Sequence, residues 1–156
     1  MRFAICTISA DETISLGERL GKQLAPGDVI ALYGDLGAGK TTLTKGIAVG
    51  LGLAADIHSP TFTLIHEHPG AIPLYHVDLY RLSSEQEVET LGLEEYIYRD
   101  GVTVIEWANT TRSLLPAERL DITLRMTGDT DRELIFETDS ERLGKIIEGL
   151  NADHSH

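Results

Sequence analysis

Cysteine is nearly absent from this chain, with one residue, Cys6, among 156. A lone thiol closes no intrachain disulfide and builds no cysteine-cluster zinc site, so a reducing compartment, the cytoplasm, is expected. Long hydrophobic runs are missing as well, which excludes a bilayer-spanning helix. The opening MRFAICTISADE holds only a brief apolar patch before Asp11, too short for a signal peptide. Basic residues are in short supply: 13 Lys and Arg against 25 Asp and Glu leave a formal net charge of -12. Any nucleic acid brought close would meet a repulsive average field. If a polynucleotide is involved, the expectation is that another protein holds it and this chain docks on that protein. What remains is ordinary, 42% apolar and 24% charged residues, as in a chain that folds around one core. Neither repeat nor linker nor domain boundary is visible. One domain is expected over residues 1–150, followed by a disordered polar tail, 151–156, ending His154-Ser155-His156.

Phe3 and Ile5 alternate as in a short strand, and Ser9 and Glu12 then have capping-box spacing before Leu16, Leu20 and Leu24 at helical steps. VIALY, Val29 to Tyr33, is a continuous apolar run of the kind covered on both faces. From Lys40, the spacing of Leu43, Ile47 and Leu51 predicts a helix with Gly50 and Gly52 as exit signals. IHSPTFTLIHEH and IPLYHVDLY, linked by Pro69-Gly70, predict an antiparallel pair. SSEQEVETLGLEEYIY reads as helix interrupted near Gly92. VTVIEW, Val102 to Trp107, is a second compact strand, and ANTTRSLLP behind it a short helix closed by Pro116. Leu120 to Met126 and LIFE form a hairpin around GDTD, and a final helix runs from about Ser140 to Leu150. Together these predict a three-layer α/β fold of the P-loop NTPase kind, with a mixed parallel and antiparallel sheet flanked by helices.

Between VIALY and the second helix lies GDLGAGKTTL. Gly34, Gly39, Lys40 and Thr41 fit G-x-x-x-x-G-K-[ST] in the strand-to-helix context that the motif needs. Backbone N–H groups wrap an anion only where no Cβ intrudes and positive φ is allowed, and glycine meets both conditions. Gly34, Asp35, Leu36, Gly37, Ala38, Gly39, Lys40 and Thr41 are therefore expected to cradle a triphosphate. Lys40 would offset β- and γ-phosphate charge beside a helix dipole, and Thr41 would supply a hydroxyl to Mg²⁺. At average residue frequencies the four fixed positions arise by chance in about one chain in two hundred of this length, before context is counted.

A phosphate loop also needs acids to organise metal and water, usually at neighbouring strand ends. Asp78 closes PLYHVD and Glu106 closes VTVIE, so one is expected at the magnesium and the other at the attacking water or a switch segment. Ser59-Pro60-Thr61 follows the loop helix, where the Thr61 hydroxyl would sense the γ-phosphate through the metal; a stiff strand-entry turn is the alternative. Trp107 is weighed as packing against stacking on a base or partner, Arg81 as a phosphate or partner contact against a surface salt bridge, and the glutamates from Glu85 to Glu95 as a solvated face against a docking face. His66 and His68 share a strand face without further clustered ligands, and no stable zinc site is expected.

The order GDLGAGKTTL, SPTFTL, YHVDLYRL and VIEW, spanning about Asp28 to Trp107, resembles the bacterial TsaE (YjeE) family of small P-loop ATPases. SPT followed by an aromatic, DLYRL and the Glu-Trp pair are far more specific than the loop alone. The resemblance implies an ATPase, with ATP and Mg²⁺ as cofactors, required for N6-threonylcarbamoyladenosine modification of tRNA. It also implies a complex of the TsaD and TsaB proteins as partner, with tRNA engaged only indirectly and no membrane. By position, Lys40, Thr41 and Thr42 would contact phosphate and magnesium. Thr61 would belong to the sensing switch, Asp78 would be an essential acid, and Glu106 a magnesium-linked one. Two other readings stay open: a small-molecule kinase, though no arginine-rich lid is visible, and a nucleotide-gated binding module with little turnover of its own. A GTPase is disfavoured, since no N/T-K-x-D motif is present.

Overall fold

The computed structural model describes residues 1–53, 65–79, 82, 84–93, 100–107 and 113–154. Along the chain the described elements are β1 (Arg2–Thr7), α1 (Ala10–Gly21), β2 (Val29–Tyr33), α2 (Lys40–Gly50), β3 (Ile65–His68), β4 (Leu74–Asp78), α3 (Glu85–Leu91), β5 (Val102–Glu106), β6 (Leu120–Met126), β7 (Arg132–Thr138) and α4 (Glu141–Asp153). The strands form one sheet in the order β1-β7-β6-β2-β5-β4-β3. Its centre is parallel, with β2 between β5 and β6 and β4 beside β5. The pairs β3–β4, β6–β7 and β1–β7 are antiparallel. This is the mixed α/β sheet that the sequence predicts.

Every residue of β2, β4 and β5 is buried, as their apolar composition requires. Alternation along each strand then sorts side chains between two faces. Ile30 and Leu32 join Leu16, Leu43, Ile47, Ile147 and Leu150 from the helices on one side, whereas Val29, Ala31 and Tyr33 join Val77, Leu93, Ile105 and Leu115 on the other. The single expected core is thus two clusters: a sheet covered on both faces divides the interior, and chain length counts domains rather than layers. Leu74, Val102 and Val104 lie on the α1–α2–α4 side. His76, Asp78 and Glu106, in phase with them, share that face.

The helices α1 and α2 meet backbone to backbone. A Cβ on Gly46 would lie 2.2 Å from the Ile14 carbonyl oxygen, and one on Gly50 2.2 Å from that of Glu18; Gly17 and Gly21 face them from α1. Gly50, which the sequence marks as an exit signal, is therefore also a packing surface. Three of the described helices start at serines whose hydroxyls accept a backbone N–H: Ser9 from Glu12, Ser84 from Glu87 and Ser140 from Leu143. The last helix, α4, continues past the expected Leu150 boundary to Asp153. No stop signal follows Leu150, and the ring of His154 is held at 2.6 Å by the Cys6 carbonyl, which ties this end of the expected tail to β1. Residues 155–156 lie outside the described residues, as do Ser59, Pro60, Thr61, Arg81, Glu94, Glu95 and the 108–112 part of the predicted short helix.

Candidate functional site

The chain leaves β2 at Tyr33 and enters α2 at Lys40, so Gly34 to Gly39 must reverse direction within six residues. Gly34, Gly37 and Gly39 take φ values of 141°, 81° and 108°, a region that side chains with a Cβ rarely occupy. Gly34 is constrained twice, because a Cβ there would also sit 2.6 Å from the Leu124 carbonyl oxygen of β6. Ala38 is buried and its N–H donates to the Asp35 carbonyl at 3.0 Å, closing the turn, while Leu36 stands exposed.

Unlike the other three described helices, α2 begins without a side-chain cap: Gly39 is its N-cap, and its first turn carries no acid. Its leading N–H groups and the positive end of its dipole are thereby left to an anion. Gly37 adds open space, since nothing lies within 4 Å of the position its Cβ would take.

Lys40 is 5% exposed. Its Nζ donates to the carbonyls of Gly34 at 2.6 Å and Asp35 at 2.9 Å, and lies 3.8 Å from the centre of the Trp107 ring. Burial pushes its pKa below the ordinary lysine value, and the carboxylates of Glu106, Asp78 and Asp35 pull it back up. A lysine so lowered gives up its proton on the folded chain before the unfolded one. Between the lowered value and the ordinary 10.5 the unfolded state holds more protons, and stability rises with pH. Thermal melts across alkaline pH are expected to show the difference between Lys40→Met and wild type moving in the wild type's favour through that window, since the variant lacks the buried charge.

Asp78 and Glu106 are register partners on adjacent parallel strands, both buried. The Thr41 hydroxyl is 3.3 Å from each carboxylate oxygen of Glu106. The sheet thus brings Lys40, Thr41, Asp78 and Glu106 together at the carboxyl ends of β2, β4 and β5. Thr41, Asp78 and Glu106 offer hard oxygen donors, the set that suits Mg²⁺. Among the described residues no three His, Cys, Asp or Glu side chains are grouped to hold a metal by themselves. A cation there would rely on the hydroxyl and on phosphate oxygens as well. Beside the loop a cavity of about 170 Å³ is lined by Ser9, Thr13, Gly39, Thr42, Asp129 and Arg132. Arg132 reaches the Gly37 carbonyl at 3.4 Å from the β6–β7 hairpin.

His76 was not legible as a site element, and Trp107, weighed as packing or as a base or partner contact, takes a different part. His76 is fully buried and its Nε2 bonds to Glu106 Oε2; the available signal was its place two residues before Asp78, hence on the same strand face. Trp107 leaves the predicted strand, which ends at Glu106, and is the one non-glycine residue with positive φ, 61°, among those described. For a bulky residue this backbone costs about 1–3 kcal/mol, and here it accompanies a ring that packs on the second core cluster and covers the Lys40 ammonium. His66 and His68 meet edge to face, with ring centres 6.1 Å apart.

Residues 7–134 match the family model described as threonylcarbamoyl adenosine biosynthesis protein TsaE. The chain is 45% identical over 146 residues to a tRNA threonylcarbamoyladenosine biosynthesis protein TsaE from Bacillus subtilis (strain 168), covering 93% of this chain and 91% of that protein. A protein of the same description from Treponema pallidum (strain Nichols) is 44% identical over 126 residues, covering 81% and 93%. The crystal structure of Bacillus subtilis YdiB superposes with a TM-score of 0.84 at 38% identity, covering 99% of this chain and 97% of that one.

Proposed function

This chain belongs to the family of threonylcarbamoyl adenosine biosynthesis protein TsaE, and from that membership we propose that it is a cytoplasmic Mg²⁺-dependent ATPase serving N6-threonylcarbamoyladenosine modification of tRNA by acting on a TsaD–TsaB complex. The observation that carries the ATPase reading is the uncapped start of α2 behind a positive-φ glycine loop, with Lys40 and two buried strand-end acids around it. In this reading, the N–H groups from Gly34 to Thr41 and the Lys40 ammonium bind the β- and γ-phosphates. The adjoining cavity gives the rest of the nucleotide room between α1 and the β6–β7 hairpin. Thr41 and Glu106, with Asp78 beside them, would hold Mg²⁺, which when bound neutralises developing charge on the phosphate oxygens. With Glu106 at the metal, Asp78 would orient the attacking water. Trp107 shields the Lys40 ammonium from solvent, where its charge is worth more than in water. With -12 net charge, the partner complex rather than this chain holds the tRNA.

The test mixes purified chain with the TsaD–TsaB pair in ATP, in ADP and without nucleotide, and follows both complex formation and phosphate release. Binding that depends on nucleotide, with slow release alone and faster release in the mixture, is the expected outcome. Equal binding in every condition with no hydrolysis refutes the proposal, and a phosphorylated metabolite in place of free phosphate would favour a kinase.

A further inference from the structure

We propose that His76 is a positioning residue that fixes the orientation of the Glu106 carboxylate. The inference rests on the reading of Glu106 given above, and concerns a side chain to which that reading assigns no part. The strands β4 and β5 are adjacent and parallel, with His76 opposite Val104 and Asp78 opposite Glu106. Alternation turns His76, Asp78 and Glu106 to the α2 side, so the imidazole lies behind the acid, one strand away and two residues further from the loop.

Among the described residues Glu106 has two donors. The Thr41 hydroxyl stands 3.3 Å from both oxygens, a loose contact that favours neither and leaves the carboxylate plane unset. His76 Nε2 bonds to Oε2 alone. A carboxylate only accepts, so Nε2 carries the hydrogen and the ring is held in that orientation. With Oε2 engaged by the imidazole, Oε1 is the oxygen to which, among the described residues, only the equidistant Thr41 hydroxyl comes close, and Thr41 is the residue assigned to magnesium. The division suits an acid that presents one oxygen to a metal site and is clamped by the other.

The second nitrogen shows that the imidazole is not there for packing. Among the described residues His76 Nδ1 is buried without a hydrogen-bond partner. An unsatisfied buried polar atom opposes folding, whereas an apolar side chain of similar shape in this strand, like its neighbours Leu74 and Val77, would carry no such cost. A polar group kept at that expense, with its one bond among the described residues aimed at a site acid, acts through that acid. Partners of metal-binding groups that sit behind them typically alter metal affinity or activity by about 10–100-fold when removed.

The experiment compares wild type, His76→Leu, His76→Gln and Glu106→Gln. Gln extends an amide N–H to about the position of Nε2; Leu has none. In proton NMR, wild type is expected to show a downfield, slowly exchanging imidazole N–H that is absent in His76→Leu and shifted in Glu106→Gln. His76→Leu, assayed below its own melting point, is expected to release phosphate about 10–100-fold more slowly and to need more Mg²⁺ for half-maximal rate. His76→Gln should recover to within a few-fold. Wild-type turnover and Mg²⁺ requirement in His76→Leu would overturn the inference, as would an imidazole resonance indifferent to Glu106→Gln. Absence of phosphate release from the wild type would instead refute the ATPase reading, and the resonance would still decide whether His76 holds Glu106.

Discussion

Lys40→Ala is expected to bring ATP-dependent phosphate release down by about 10³-fold or more, the scale of losing a preorganised charge aimed at the transferring group. The ammonium is the cation that packing forces into the loop. It is buried, it lies over Trp107, and it sits within the field of Glu106, Asp78 and Asp35. In the described geometry its hydrogen bonds go to the Gly34 and Asp35 carbonyls, so a phosphate entering the loop replaces backbone oxygens as the partner of a charge already desolvated. Alanine removes the cation and leaves the acids facing an anionic ligand without their counter-charge, so nucleotide affinity should fall together with turnover. Single-turnover phosphate release and ATP titration, with Lys40→Met as a variant that keeps the stem against Trp107, check this. Wild-type rates in either variant would remove Lys40 from the chemistry.

Gly46→Ala is expected to destabilise the fold by about 3 kcal/mol, at the upper end for overpacking a close-packed contact. That corresponds to a melting temperature lower by about 6–12 °C for a chain of this size. The added methyl would lie 2.2 Å from the Ile14 carbonyl oxygen and 2.9 Å from Gly17 Cα. Both are backbone, so no rotamer change relieves the clash and the helices must separate. Since α2 carries Lys40 and Thr41 at its first turn, separation also displaces the loop from the acids on β4 and β5. A control comes from Gly149, exposed on α4 with nothing within 4 Å of its missing Cβ. Gly149→Ala should stabilise by about 0.5–1 kcal/mol, through helix propensity alone. Calorimetry on both variants, with phosphate release measured below the lower melting point, separates packing from intrinsic preference. A Gly46→Ala chain melting with the wild type would mean that the α1–α2 contact is looser than its backbone distances state.

The two glycine pairs mark a limit of pattern reading. Gly17, Gly21, Gly46 and Gly50 recur at four-residue spacing on two helices. Within one helix that spacing says only that a face is small; the identity of the facing helix depends on how the chain crosses over the sheet. Gly50 was therefore legible as punctuation and not as a contact. Trp107 shows the same limit from the other side. An apolar run ending in Glu-Trp predicts a strand through Trp107, because alternation and propensity see no reason to stop. The turn to positive φ at that residue appears only once the ring has Lys40 beneath it and the second core cluster beside it. The end of α4 differed for a simpler reason: helix termini are weakly encoded, and the tie from His154 to Cys6 spans nearly the whole chain.

By itself the sequence determined the glycine-rich loop, its strand before and its helix after, and the two acids at strand ends. Each of these is a statement about residues contiguous along the chain, where glycine φ, strand alternation and helix periodicity act locally. Only the tertiary structure decided that Thr41 meets Glu106, that His76 stands behind it, that Leu124 leaves Gly34 no room for a Cβ, and that the interior divides in two. Those depend on which strands are neighbours and in what register. A sheet ordered β1-β7-β6-β2-β5-β4-β3 joins residues far apart in sequence through hydrogen bonds and packing that no local pattern encodes.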